Sequence, residues 1–390
     1  MRIVHAADSF APDIGGIERQ VEALAIYQRD QGHQVTVITA VHEPAPLDLD
    51  VVRAARGRWL TVAFPWRNYR MVADVLDSGT VDVVHAHFTV VSPIAIYVTR
   101  AASRRGIPVA VTVHSLWWKV AVATRIATLP FGWGRMRAAW SGVSSVAAGH
   151  VGRTLPSVGE ISVVPNLVDV QWWQPEPPIR VTAASAEIKL ILVGRLKKRK
   201  HVGEFIDVLA QVRAQLPDGA KVSVNVVGDG PRRPDLQRQV DELGLTDWVS
   251  FLGHREPAEI RTLLQEADLF VASSRQESFG IAALEARAAG LPVLGYRRNG
   301  LSDFIAEGTE GVLVNDAPEM VDALTTLLGQ PEELARLRKI TTTSPPTITP
   351  AEAMGAVERL YQRARAMRPA TEQPTSELTD AATGGSSLIG

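Results

Sequence analysis

Asp268-Leu269-Phe270-Val271-Ala272-Ser273-Ser274 and, after Arg275-Gln276, Glu277-Ser278-Phe279-Gly280-Ile281-Ala282-Ala283-Leu284-Glu285-Ala286 decide the reading of this chain. The first run is short, apolar and closed by a polar turn, the pattern of a buried strand. The second leads into a helix of small residues, Ile281 to Ala289, that stops at Gly290-Leu291-Pro292. Glu277 therefore lies on the loop at the strand's C-terminal edge, with Glu285 about one to two turns into the helix. Where the helix begins, Ser278, Phe279 and Gly280 offer unpaired amides and a partly positive dipole end. That is a place for an anion, flanked by two groups that accept hydrogen bonds from hydroxyls. A polyhydroxylated, phosphorylated ligand meets both conditions.

The same alternation extends in both directions. Residues 2–7 form a strand that ends at the glycine loop around Gly15-Gly16, and a helix from Ile17 to Gln31 follows. Strands are expected at 34–39, 81–87, 108–114 and 161–166, with helices between them. Runs that are apolar on both faces and separated by helices mean a parallel sheet covered on two sides. Gln171-Trp172-Trp173-Gln174-Pro175-Glu176-Pro177-Pro178 is a proline-rich connector. A second alternation then starts at Lys189, with strands at 189–194, 221–227, 248–252, 268–272 and 292–295. The expected fold is α/β, two Rossmann-like doubly wound parallel-sheet domains facing across a cleft, where ligands bind. The expected boundaries are 1–170, a linker at 171–186, 187–350, a helix at 351–366 and a disordered tail at 367–390.

With 390 residues and 46% hydrophobic content, the chain has material for two cores. Its net charge of −1 gives no general reason to bind nucleic acid. Between Val51 and Leu155, however, thirteen Lys/Arg stand against three Asp. An anionic surface or substrate is expected near this first half. Zero cysteines rule out disulfides and thiolate metal sites, and the opening directly into a strand suggests a cytoplasmic protein.

Arg195 and Lys200 follow the strand at 189–194, at the same edge as the Glu277 loop. Arg grips two phosphate oxygens and Lys acts as a point charge, a pairing suited to a diphosphate. Gly228-Asp229-Gly230 lacks the third glycine of a dinucleotide fingerprint, since Arg233 stands there, so it reads as a tight turn. Gly16 lets backbone approach a ligand closely. His114 ends a strand at the inter-domain edge, where an imidazole could donate to a sugar hydroxyl. His85 and His87 share a strand face, but no third ligand is near in sequence, so no metal site is expected.

In this order these pieces resemble retaining GT-B-fold glycosyltransferases with an E-x7-E motif, the family-4-like group of bacterial mannosyl- and N-acetylglucosaminyltransferases. The carriers include Gly15-Gly16-Ile17-Glu18-Arg19, Val84-His85-Ala86-His87, Thr112-Val113-His114, Gly194-Arg195-Leu196, Gly228-Asp229-Gly230-Pro231 and Glu277-Ser278-Phe279-Gly280 with Glu285. The resemblance spans roughly residues 1–366. It implies that Arg195 and Lys200 bind the donor diphosphate and that Glu285 takes the ribose hydroxyls. Glu277, with the loop of Ser278, Phe279 and Gly280, would hold the donor sugar. Gly16 would face the diphosphate or acceptor, and His114 the O6 region. The helix at 351–366 would return to the first domain. One departure is His201, which stands where the group usually has glycine after the lysine, leaving the turn geometry open.

A GDP- or UDP-linked sugar is the expected partner, with no cofactor and no metal. The expected reaction is front-face transfer of a hexose (mannose, glucose or N-acetylglucosamine) to a lipid-linked, polyol or glycan acceptor. A sugar-nucleotide epimerase and a catalytically inactive binding protein on the same fold are the alternatives. Trp117, Trp118, Trp133 and Trp140 mix with Lys119, Arg125, Arg135 and Arg137, which suits an anionic membrane surface or lipid acceptor and a peripheral location at the inner face of the cell membrane.

Overall fold

The computed structural model describes residues 1–13, 15–44, 46–54, 68–117, 136–175 and 187–367. The proposed tail beyond Met367, most of the linker, and Trp118, Lys119, Arg125, Trp133 and Arg135 lie outside them.

Seven strands make the first sheet: β1 (Arg2–Ala7), β2 (Gln34–Thr39), β3 (Asp50–Arg53), β4 (Val83–Phe88), β5 (Val109–Val113), β6 (Ala139–Gly142) and β7 (Ile161–Val163). Their order is β3-β2-β1-β4-β5-β6-β7, and every pairing is parallel. Six strands make the second: β8 (Ile188–Val193), β9 (Val222–Val227), β10 (Val249–Gly253), β11 (Leu269–Ala272), β12 (Val293–Tyr296) and β13 (Gly311–Val314). They run β10-β9-β8-β11-β12-β13, again all parallel. Strands such as β4 and β5 are buried at every position, as helices on both faces require. The strands expected from the sequence did not include β3, β6 or β13. Each has only four residues, too few for a pattern to show, and β6 carries Ser141 and Gly142.

The helices used below are α1 (Gly16–Asp30), α2 (Ser145–Thr154), α3 (Val202–Gln215), α4 (Ile281–Ala288) and α5 (Pro350–Ala366). Thr349 opens α5 with a capping box to Glu352. Although it follows the second domain in sequence, α5 buries Met354, Val357, Leu360 and Tyr361 against Ile3, Leu24, Val83 and Ala139 of the first. A further core joins the domains, because Val143 and Ala147 pack in one cluster with Phe279 and Leu284.

The aromatic, basic surface needs correction. Trp117 is 1% exposed and Trp140 0%, and both belong to the first sheet's core. Their large apolar area is worth more buried than at an interface, and Trp117 Nε1 donates to the Thr89 carbonyl at 3.2 Å.

Two glycines join the turns after β8 and β9. A Cβ on Gly228, which sits at φ +123°, would lie 2.1 Å from the Gly194 carbonyl oxygen, and one on Gly230 2.6 Å from the Leu196 oxygen. Backbone therefore packs on backbone beneath the basic turn. Gly228→Ala should cost about 3 kcal/mol, because rigid backbone, not a side chain, must yield. The check is thermal unfolding, with the transition falling by roughly 5–10 °C.

Candidate active site

The C-terminal edges of the two sheets face one another, and α4 begins between them. Gly280 caps that helix at φ 104°, and a Cβ there would sit 2.6 Å from Leu301 Cδ2, so glycine is demanded twice over. The loop before it is clamped by the next strand's exit. Gly300 N–H donates to the Glu277 carbonyl at 2.9 Å, and Asn299 Nδ2 to the Ser274 carbonyl at 3.1 Å. From the first domain, Ser144 Oγ donates to the Ser278 carbonyl at 2.6 Å. The amides of Ser278, Phe279 and Gly280 donate to no acceptor among the described residues.

Positive charge arrives from β8. Lys200 Nζ lies 2.6 Å from Glu277 Oε2, both side chains being partly exposed. The turn carrying Lys200 is pinned by the end of β11: Ser273 Oγ donates to the Lys200 carbonyl at 2.7 Å and Ser274 Oγ to that of Arg199 at 3.2 Å. Arg195 is exposed, and its guanidinium has no hydrogen bond among the described residues. His201 resolves the open question of the turn. It takes φ 52°, ψ 28°, the left-handed conformation that glycine adopts freely, so the spacing to Lys200 is preserved at a cost in strain. Its Nδ1 is also buried without a partner.

Glu285, one turn inside α4, is only 9% exposed. Burial pushes its carboxyl up to about 7, and Arg19 of α1, across the cleft, partly opposes that shift. The glycine loop touches the same helix, since a Cβ on Gly16 would meet Ile281 Cδ1 at 3.4 Å. Thus Glu277, Ser278, Phe279, Gly280, Glu285, Lys200 and Gly16 gather at one place, and exposed Arg195 stands on the turn that leads to Lys200.

His114 follows β5 on the same edge. It is 6% exposed, its amide donates to the Phe88 carbonyl at 2.8 Å, and burial pulls its imidazole down to about 4. The third imidazole that sequence could not supply to His85 and His87 comes from His5 on β1. All three are buried, and every ring nitrogen is already hydrogen-bonded: His5 to Gln28 and His87, His85 to Tyr361 and Thr112, and His87 to His5 and His114. These nitrogens are satisfied by protein, as a hydrogen-bonded network requires, so no metal site is assigned to them.

Sequence reasoning missed Ser144, Asn299 and Gly300. The last two had a local signal, an Asn-Gly dipeptide just past a strand on the edge already singled out. Ser144 had none, because its partner is 134 residues away.

Two facing parallel sheets, with cations and a free helix N-terminus at the junction, define the GT-B class of α/β protein. Residues 14–172 match the model for glycosyltransferase family 4, and residues 179–343 that for glycosyl transferases group 1. With both halves matched, the chain belongs to the family-4-like GT-B glycosyltransferases. Among curated relatives, D-inositol 3-phosphate glycosyltransferase of Frankia alni is 29% identical over 83% of this chain and 88% of its own length. A component of the phosphatidylinositol N-acetylglucosaminyltransferase of Arabidopsis thaliana is 25% identical over 93% and 78%. Other relatives, such as alpha-D-kanosaminyltransferase of Streptomyces kanamyceticus at 33% identity, match over 38% of their length. Anabaena HepE, solved in complex with UDP, shares the fold with a TM-score of 0.68 and 21% identity over 93% of this chain and 98% of its own.

Two substitutions test the site's electrostatics. Because the carboxyl of Glu285 rises on folding, its contribution to stability falls as pH climbs from the unfolded value of 4.5 through about 7. Glu285→Gln should therefore match the parent below about pH 4.5 and exceed it by about 3 kcal/mol at pH 8, as read from urea unfolding at both pH values. His201→Gly should add about 1 kcal/mol by relieving the left-handed strain and removing the orphaned ring nitrogen, less the entropy glycine brings. The same titration reads it.

Proposed function

We propose that the chain transfers a hexosyl group from a nucleoside-diphosphate sugar to a hydroxyl acceptor with retention of configuration. The carrying observation is the N-terminus of α4, its amides unspent, set between Lys200–Glu277 on one side and buried Glu285 on the other. Arg195, Lys200 and the amides of Phe279 and Gly280 take the diphosphate, with no metal ion in that role. Glu285 accepts from the ribose hydroxyls, while Glu277 and Ser278 border the sugar. His114 and Gly16 close the pocket from the first domain.

In this reading the bond from the anomeric carbon to the diphosphate oxygen breaks as the acceptor oxygen bonds on the same face. The acceptor's proton passes to the departing phosphate oxygen, and the cations stabilise the charge gathering there. A double displacement would need two opposed carboxylates, one of them an ionised nucleophile. Glu277 is engaged by Lys200, and Glu285 is buried with a raised pKa, an arrangement that favours hydroxyl acceptors over a free nucleophile.

Relatives named for phosphatidylinositol and inositol 3-phosphate favour an acceptor that carries phosphate, in keeping with the excess of basic residues at 51–155. Among the described residues no helix is long and apolar enough to cross a membrane. A lipid-linked acceptor would therefore be met at a membrane surface, which we place at the cytoplasmic face. HepE's complexes with UDP and UDP-glucose make the uridine nucleotides the first to test.

Lys200→Ala should weaken UDP or GDP binding by about 10- to 100-fold, the value of one charge-assisted contact, and reduce transfer by at least as much. Titration calorimetry with both nucleotides decides it. Affinity within twofold of the parent would refute the assignment.

A further inference from the structure

Ser144 and Ser145, where α2 begins, grip the second domain beside the N-terminus of α4. Ser144 is fully buried; its Oγ donates to the Ser278 carbonyl at 2.6 Å and accepts from the Ala147 amide at 3.1 Å. Both directions are forced, because an amide can only donate and a carbonyl only accept. Ser145 turns to Asp303. Its amide donates to Asp303 Oδ2 at 2.6 Å, and its hydroxyl donates to Oδ1. A carboxylate of the second domain thus meets the positive end of a first-domain helix.

These contacts close into a circuit. Asp303 ends the short turn that Gly300 begins. Gly300 N–H holds the Glu277 carbonyl at 2.9 Å, and Ser144 holds the next carbonyl, that of Ser278. Ser145 then leads back to Asp303. Val143 and Ala147 pack in one apolar cluster with Phe279, Leu301 and Phe304, so the polar contacts stand on a shared core. Nor is α2 loose on its own sheet. A Cβ on Gly142 of β6 would lie 2.4 Å from the Ala148 nitrogen, so backbone rests on backbone there.

What the circuit holds is one peptide unit. The Ser278 carbonyl and the Phe279 amide share a plane, and in a trans peptide they point in opposite directions. Gly300 lies against that plane: a Cβ there would sit 2.5 Å from the Ser278 oxygen and 2.7 Å from the Phe279 nitrogen. Ser144 holds the oxygen, which has no other donor among the described residues. With its side covered and its oxygen held, the peptide can aim the Phe279 N–H in one direction only. The Ser278 amide is set differently. Its plane is fixed through the Glu277 carbonyl by Gly300, inside the second domain. Neighbouring amides at the start of α4 are therefore oriented from different domains.

We propose that Ser144 and Asp303 are positioning residues for the donor diphosphate: Asp303 docks α2, and Ser144 on the docked helix aims the Phe279 amide at a phosphate oxygen. This rests on the donor-site reading given above. Neither side chain touches the nucleotide. Tight binding of a diphosphate by the second domain then requires the first domain to be docked, whereas a nucleoside, which brings no anion to that amide, is indifferent to it.

The test uses the full chain, with calorimetry for UDP and GDP and ligand-observed NMR titration for uridine and guanosine at millimolar concentration. Asp303→Ala leaves the cap of α2 and every group at the start of α4 in place. It should weaken whichever diphosphate binds the parent by about 5- to 10-fold, the worth of one hydrogen bond, and leave the matching nucleoside within twofold. Ser144→Ala should show the same split, and the double variant should lose less than the product of the two single losses, since both act through one docking. Diphosphate affinity within twofold of the parent in both single variants overturns the proposal and leaves the donor-site reading standing. So does a nucleoside loss in step with the diphosphate loss, the mark of a general loosening, or a double variant that loses the full product. If the parent binds neither UDP nor GDP, the donor-site reading falls, and the positioning role falls with it.

Discussion

The amide of Gly300 bonded to the carbonyl of Glu277 is the contact on which the site depends. It turns the chain after β11 so that α4 starts at the junction of the domains with its first amides unspent. Only glycine can occupy position 300, because a Cβ there would lie 2.5 Å from both Phe279 Cα and the Ser278 oxygen. Gly280 is required chiefly by its φ of 104°, with Leu301 Cδ2 2.6 Å from where a Cβ would stand. Two backbone requirements thus set where the helix and its dipole begin, and in the function proposed above the charged side chains act around an anion bound at that end.

Lys200 and Glu277 satisfy each other across the mouth of that site. Both are partly exposed, so their attraction is worth no more than about 1 kcal/mol. A diphosphate offers the ammonium more charge, and a sugar offers the carboxylate hydroxyl donors. Exchanging partners costs little, and the pair keeps both side chains ordered beforehand. Glu285 follows a different logic. Burial, partly opposed by Arg19, raises its pKa to about 7, so its charge depends on pH near neutrality.

The groups legible in the sequence are those whose meaning is local. Glu277, Glu285, Arg195 and Lys200 could be placed because each stands at the end of a recognisable strand or the start of a helix, and parallel sheets put all such ends on one edge. His201 was legible as a departure, and its positive φ shows that the backbone kept the turn and made the side chain adapt. What stayed hidden depends on distance along the chain. Gln28 meets Tyr361 across 333 residues and Ser144 meets Ser278 across 134, and no periodicity encodes either. Trp117 and Trp140 failed for another reason. An aromatic beside an arginine suits a membrane face or a core with a solvated rim equally well, and only packing separates the two.

Because α5 returns to the first domain, the polypeptide passes between the two halves twice, once after β7 and once before Pro350. A body joined to another by one strand can swing and twist about it. Joined by two, it keeps chiefly the rotation about the line through both crossings, as a door does on two pins. The closing helix therefore limits the direction in which the cleft can open. It also carries Tyr361, whose hydroxyl meets His85 and Gln28 inside the first domain, so the returning helix is tied to that domain's core by hydrogen bonds as well as by packing.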